Sequence, residues 1–271
     1  MAFFQGRNRV LKAARGFTLV ELLVIISILG VLAAVVVLNV IGFMNEGSAE
    51  AKAVELKQVH TAAGIYLLED TLASATTVGP GNKGIVAPWL TGDLQYYWTI
   101  DTDGSVHPLL FASSLNNLDG FTSVTGSWTP GAGGLSASGD AGSLVATGGN
   151  WDDFTFQTTA TLTSGDGYGM YYRSDSDANT GYIFQFDPIL GFTVSDVANG
   201  TILTQAAIPP GFPVNGQHNI SVSVSGSSHT IKVDGSTVMT FTDSTYGSGT
   251  VGLQSEAGSS VNFTSFTVSP P

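Results

Sequence analysis

From Phe17 to Leu38 the chain is almost wholly apolar, with Glu21 as its single charge and Ser27 and Gly30 as its softest points. No other feature limits the fold as much. The run is close to the ~20 residues a helix needs to cross a bilayer, so it demands lipid or the apolar flank of other helices. Arg7, Arg9, Lys12 and Arg15 precede it, and the first fifteen positions hold no Asp or Glu. The positive-inside rule then keeps the N-terminus cytoplasmic. Three processing schemes compete. A cleaved secretory signal needs an A-x-A-like site after the apolar run, and none follows. An uncleaved anchor leaves Glu21 as a bare carboxylate in apolar surroundings, at a cost of several kcal/mol. A cut between the basic segment and the apolar run would leave the helix itself as anchor and create a new ammonium at its start.

The segment Arg15-Gly16-Phe17-Thr18-Leu19-Val20-Glu21-Leu22-Leu23-Val24 resembles the processing site of type IV prepilins and pseudopilins, a likeness that runs from residue 7 to about residue 40. The resemblance implies cleavage after Gly16 by a prepilin peptidase and N-methylation of Phe17. It also implies pairing of Glu21 with the Phe17 ammonium of a neighbouring subunit. Such a pair acts as a register device, because either charge left alone is costly. Gly30 matches a position where many pilin helices loosen. The proline that commonly follows in those pilins is absent, since Leu38 stands there.

Past the apolar run, Ser48 is placed to re-cap a helix ahead of Ala49-Glu50-Ala51-Lys52. Leu56, Val59, Ala63 and Tyr66 form one apolar stripe, with Glu50, Lys52, Glu55 and Lys57 largely off it. A helix from Phe17 to about Asp70 would be roughly 80 Å long. Residues 71–110 predict a minimal pilin body: a turn cluster at Gly79-Pro80-Gly81 and a hairpin reversing at Asp103-Gly104, with Trp89, Tyr96, Tyr97 and Trp98 packing the sheet on the helix. Asp101 and Asp103 are read as turn residues ahead of calcium ligands.

From Phe111 onward, five- to eight-residue segments alternate Thr, Val and Phe with polar residues. They include Phe154 to Leu162, Tyr168 to Arg173, Tyr182 to Asp187, Asn219 to Val224, Thr230 to Val233 and Val261 to Val268. Gly, Asp and Asn punctuate them, the pattern of an antiparallel sandwich or jelly roll. Trp151-Asp-Asp-Phe-Thr-Phe, Gly167-Tyr-Gly-Met-Tyr-Tyr-Arg173 and Ile231-Lys-Val-Asp-Gly235 resemble laminin-G-like and concanavalin-like jelly rolls. That resemblance implies binding of glycan or protein, often with calcium. Residues 111–271 contain one glutamate, Glu256, whereas glycosidases usually position two carboxylates. His218 and His229 are isolated, and with no cysteine in the chain thiol chemistry is excluded. An enzyme is therefore not expected. Tyr168, Tyr171, Tyr172, Tyr182, Trp128 and Arg173 are candidate glycan contacts, and alternation puts about half of the aromatics in the core. Asp175, Asp177 and Asn179 place oxygen ligands at alternate positions, a candidate calcium loop, although a solvated hairpin tip is the favoured reading.

Charge narrows the partners. With the first sixteen residues removed, five basic residues face 21 acidic ones, a net charge of -16. Such a surface repels phosphates, so direct nucleic-acid binding is not expected. The sequence thus predicts an α+β protein in four parts. A cleaved leader (1–16) precedes a long transmembrane and filament helix (17–70, in the membrane over about 17–41). A small antiparallel sheet (71–110) and a β-sandwich (111–271) follow. The expected function is a type IV pilus subunit, first a cytoplasmic-membrane precursor and then part of an extracellular filament. Its partners would be prepilin peptidase, the pilus assembly platform, other copies of itself and an extracellular glycan. A type II secretion pseudopilin and a membrane-anchored carbohydrate-active enzyme are the alternatives.

Overall fold

A computed structural model describes Leu23 and residues 50–271. The sites expected at Gly16, Phe17 and Glu21, the apolar run apart from Leu23, and the Ser48 cap lie outside the described residues. The chain divides into two units, Met1–Val54 and Glu55–Pro271. No helix among the described residues is long and apolar enough to cross a membrane.

Helix α1 covers residues 50–69. Its stripe residues Val59 and Ala63, with Ala62, are fully buried, and Leu56 packs on the same cluster. They meet a three-stranded antiparallel sheet, β1 (Thr76–Val78), β2 (Tyr97–Ile100) and β3 (Val106–Leu109), in the order β1-β2-β3. The chain reverses between β2 and β3 at Asp101–Ser105. There the Gly104 amide donates to the Asp101 carbonyl, and Asp103 accepts from the Ser105 amide and hydroxyl. Trp98 is buried in the α1 cluster, while Tyr97 points the other way, onto Phe111 at 5.9 Å between ring centres.

Glu55 departs from its expected exposed place. It is 8% exposed and joins α1 to the sheet. Its Oε2 accepts from the Gln95 amide at 2.8 Å, and its Oε1 accepts from the Tyr96 amide at 3.0 Å and the Trp98 indole at 2.7 Å. A carboxylate tolerates burial when its lone pairs are filled in this way.

The remaining strands build a sandwich. The first group is β4 (Phe111–Ser113), β5 (Phe121–Thr125), β6 (Trp128–Gly131), β7 (Gly134–Ser138), β8 (Gly142–Ala146) and β9 (Phe154–Ser164). Next come β10 (Tyr168–Ser174), β11 (Tyr182–Asp187), β12 (Gly191–Asp196) and β13 (Thr201–Ala206). Last are β14 (Gln217–Ser225), β15 (Ser228–Val233), β16 (Ser236–Thr242), β17 (Thr250–Ser255) and β18 (Ser260–Ser269). One sheet runs β13-β12-β11-β10-β17-β8-β5. The other runs β16-β15-β14-β9-β18-β7-β6, with β4 also paired to β18. Pairing is antiparallel throughout, so the chain from Phe111 is the expected jelly roll.

Alternation decides which side chains fill the interior. Phe154, Phe156, Ala160 and Leu162 of β9 point inward, as do Ile220, Val222 and Val224 of β14 and Phe263, Phe266 and Val268 of β18. They meet Tyr168, Met170, Tyr172, Tyr182, Phe184, Phe186, Phe192, Val251 and Leu253 of the seven-stranded sheet.

Candidate functional site

Tyr168, Tyr172 and Trp128 are 2%, 0% and 8% exposed and belong to this core. The expectation that they contact a glycan is thereby corrected: period two turns 168, 170 and 172 inward and leaves 169 and 171 outward. Tyr172 stacks on Tyr182 at 5.2 Å, and Trp128 donates its indole N–H to the Thr125 carbonyl.

Arg173 follows neither parity. A bulge in the pairing of β10 with β17 falls between Tyr172 and Ser174, and Arg173 adopts φ 46°. Its guanidinium, 3% exposed, turns into the end of the sandwich. Nε and Nη2 donate to the Asp152 carbonyl at 3.0 and 2.7 Å, Nη1 to Tyr246 at 2.9 Å and Nη2 to Gly226 at 2.8 Å. Asp153 lies 3.5 Å away. Arg173 therefore fastens three loops together and offers nothing to a ligand. Gly249 permits the bulge, since a Cβ there would lie 2.4 Å from the Arg173 carbonyl carbon.

Asp175, Asp177 and Asn179 form a hairpin tip. Asp175 Oδ1 accepts from the amides of Asp177 and Asn179 at 3.1 and 2.8 Å, and Oδ2 accepts from the Thr180 hydroxyl at 2.9 Å. Burial works against the ionised form, yet these bonds hold the carboxyl below its usual range. Amide protons aimed at the oxygens a cation would need make this loop a poor calcium site. Among the described residues no three His, Asp or Glu side chains gather as metal ligands.

The outward face of the seven-stranded sheet carries polar chemistry instead. Register places Ser143 (β8), Gln254 (β17), Gly169 (β10), Gln185 (β11), Thr193 (β12) and Gln205 (β13) in one cross-strand row. Gly169 is the key to it. A Cβ there would meet the Gln254 carboxamide at 2.6 Å and the Phe184 carbonyl at 2.7 Å. Its absence lets Gln185 reach across β10 and donate to Gln254 at 3.1 Å and to Glu256 at 3.1 Å. In the next row Tyr171, the outward tyrosine, is bonded through its hydroxyl to Ser143 at 2.9 Å. Gly252 of β17 and Val145 of β8 lie alongside it.

Glu256 stands at one end of this face. Burial raises its carboxyl to about 7, the negative charges of Asp187 and Asp166 add to the rise, and the Gln185 hydrogen bond opposes it. The lone glutamate of the sandwich is thus half-protonated near neutral pH. Sequence reading set it in a loop and missed this, because its partners come from strands distant in the chain. The linkage has a definite sign. With a folded value of about 7 above an unfolded value of 4.5, the native state holds the extra proton between them, so stability falls as pH rises through that window. A fully enclosed group would lose about 3 kcal/mol. Glu256 is half open, and about 1–2 kcal/mol is expected after solvent screening. Glu256→Gln should remove this slope, which thermal unfolding at pH 5 and pH 8 would reveal as a melting curve insensitive to pH over that range.

At the opposite end of the same face is a cleft of about 330 Å³. Its walls include Thr122, Val145, Thr147, Asn150, Asp175 and Thr250, with Gly148 and Gly149 in the loop after β8. Most of the lining surface is apolar, and its polar groups include the hydroxyls of Thr122 and Thr147, the Asn150 amide and the Asp175 carboxylate. The size falls at the lower end for small-molecule sites.

Residues 110–269 match the 3-keto-alpha-glucoside-1,2-lyase-like domain, and the chain belongs to that family. Residues 11–37 match the prokaryotic N-terminal methylation motif. Levanase of Bacillus subtilis is 24% identical over 221 residues, covering 78% of this chain and 30% of levanase. The chain therefore spans less than a third of that relative. Among solved structures, the carbohydrate binding module CBM66 from Bacillus subtilis is 23% identical with a TM-score of 0.51, covering 56% of this chain and 97% of the module. A Bacillus subtilis protein of unknown function with a galectin-like fold is 12% identical with a TM-score of 0.48, over 60% and 96% of the two chains. The likeness to the module establishes the shared jelly-roll fold.

Proposed function

We propose that this chain is a type IV pilus subunit that displays a carbohydrate-binding sandwich outside the cell. The methylation motif at residues 11–37 carries the reading, because it occurs in one chain with a sandwich of carbohydrate-module fold. The precursor sits in the cytoplasmic membrane with its N-terminus inside. Prepilin peptidase cuts after Gly16, and the new Phe17 N-terminus is methylated. The assembly platform then moves the apolar helix from lipid into a filament core, where Glu21 paired with a neighbour's Phe17 ammonium sets the axial stagger. α1 and the three-stranded sheet form the pilin body. The sandwich binds glycan through the outward face of its seven-stranded sheet. Levan is the first probe to try, given the relative named levanase.

Filaments sheared from cells test this. Their dominant protein should be this chain beginning at methylated Phe17, and Gly16→Arg should abolish both the cut and the filaments. A mature chain confined to the membrane fraction would favour a type II secretion pseudopilin, and an uncut leader would refute the reading.

Glu256 supports a second reading, a membrane-anchored carbohydrate-active enzyme. A carboxyl raised to about 7 with the negative charge of Asp187 acting on it is the environment that separates an acid from a base. Release of reducing sugar by the wild type, lost in Glu256→Gln with the fold retained, would favour that reading over a binding module.

A further inference from the structure

The cleft and the Gln185–Gln254–Glu256 group lie on one face of one sheet. Thr250, in the cleft, and Gln254 are four residues apart on β17, so about 13 Å separates them at about 3.3 Å per residue. Both point outward, because Val251 and Leu253 point into the core. Between them stands Gly252, which presents no side chain, flanked in register by Val145 and Tyr171. The Tyr171 hydroxyl is held down by Ser143. No side chain rises from β17 between the two polar places.

We infer that this face takes a neutral polysaccharide lying along β17, with one sugar in the cleft and another over Gln254, Gln185 and Glu256. The ligand is then recognised along its chain rather than at an end. The inference rests on the glycan-binding reading and adds to it a binding mode and a charge class. Two hydrogen-bonding places some 13 Å apart are too far separated for a single sugar ring to fill both. Each place supplies what hydroxyls need: carboxamides that donate and accept at one end, and the exposed Thr122, Thr147 and Asn150 side chains at the other, where Thr250 is buried and donates to the Ala146 carbonyl. The charge class follows from the acids. Asp175 sits in the cleft wall, Glu256 at the far end, and Asp187 and Asp166 act electrostatically on Glu256. The two basic residues of the sandwich do not offset them. Arg173 is buried in its own hydrogen bonds, and Lys232 belongs to β15 of the other sheet. An acidic polysaccharide would be repelled.

The test uses the full chain in detergent micelles, titrated with levan-, cello- and malto-oligosaccharides of one to six units and with polygalacturonate. In the series that binds, affinity should rise at least tenfold from the single sugar to the six-unit chain, and polygalacturonate should not bind. Thr122→Trp fills the cleft from its exposed rim, and Gln254→Ala empties the other place. Each should weaken the hexamer about tenfold, with the melting temperature unchanged to show that the fold is intact. Equal affinity for one and six units, or a hexamer indifferent to Thr122→Trp, would overturn the extended mode while leaving glycan binding in place. Binding to no neutral series would overturn the glycan reading itself, and this inference with it.

Discussion

Replacing Arg173 with alanine should cost about 3–5 kcal/mol and lower the melting temperature by about 10 °C, a large effect for a single side chain. The guanidinium donates to carbonyls of Asp152, Tyr246 and Gly226 inside the sandwich end. Truncation leaves those carbonyls without donors and Asp153 without its cation. Lysine should recover little, because one ammonium on a flexible stem cannot reproduce a planar fork reaching three loops. The loop before β9 also supplies Asn150 to the cleft. Glycan affinity should therefore fall along with stability, although Arg173 touches no ligand. Denaturant unfolding of wild type, R173A and R173K in detergent checks this. A loss under about 1 kcal/mol for R173A would show that the three loops hold together without it.

Glu55→Ala should cost about 3–4 kcal/mol in the stability of α1 and its sheet. The substitution removes the one carboxylate to which two backbone amides and the buried Trp98 indole now donate. Glutamine should do less damage but not restore the wild type, since one of its two terminal atoms donates where an acceptor is needed. Hydrogen exchange can localise the effect. Protection should fall in β1–β3 and α1 while β9 and β14, deep in the sandwich, stay protected. Uniform loss across both regions would mean that the small sheet and the sandwich unfold together.

The two positions also mark where the sequence stops being readable. Apolar alternation gave β9, β11 and β18 to within two residues, because a half-buried strand repeats every second position whatever surrounds it. The same rule places Tyr171 outward and Tyr168 and Tyr172 inward once the face is known. A sequence alone does not say which parity faces the core, and of the aromatic candidates Tyr168, Tyr172, Tyr182 and Trp128 fell inward and Tyr171 outward. Arg173 escaped because it is itself the extra residue of a one-residue bulge and follows neither parity. Glu55 looked like an ordinary charge beside an apolar stripe, and its partners lie about forty positions away. The cleft was invisible for a related reason. It is made by strands β5, β8, β10 and β17 and the loops after β8, after β10 and before β17, and nothing in any one of them announces the others.

The sandwich is entered at Phe111 on β4, three residues long, which pairs with Val268, Thr267 and Phe266 of β18. The Leu110 amide adds a bond to the Val268 carbonyl, and the Phe111 ring packs edge-on against Phe266 at 5.6 Å. A tether attached upstream and a ligand held on the far sheet would therefore pull against each other through this short seam. Tension on the tether would load these three residue pairs before it reaches the pairing of β9 with β14.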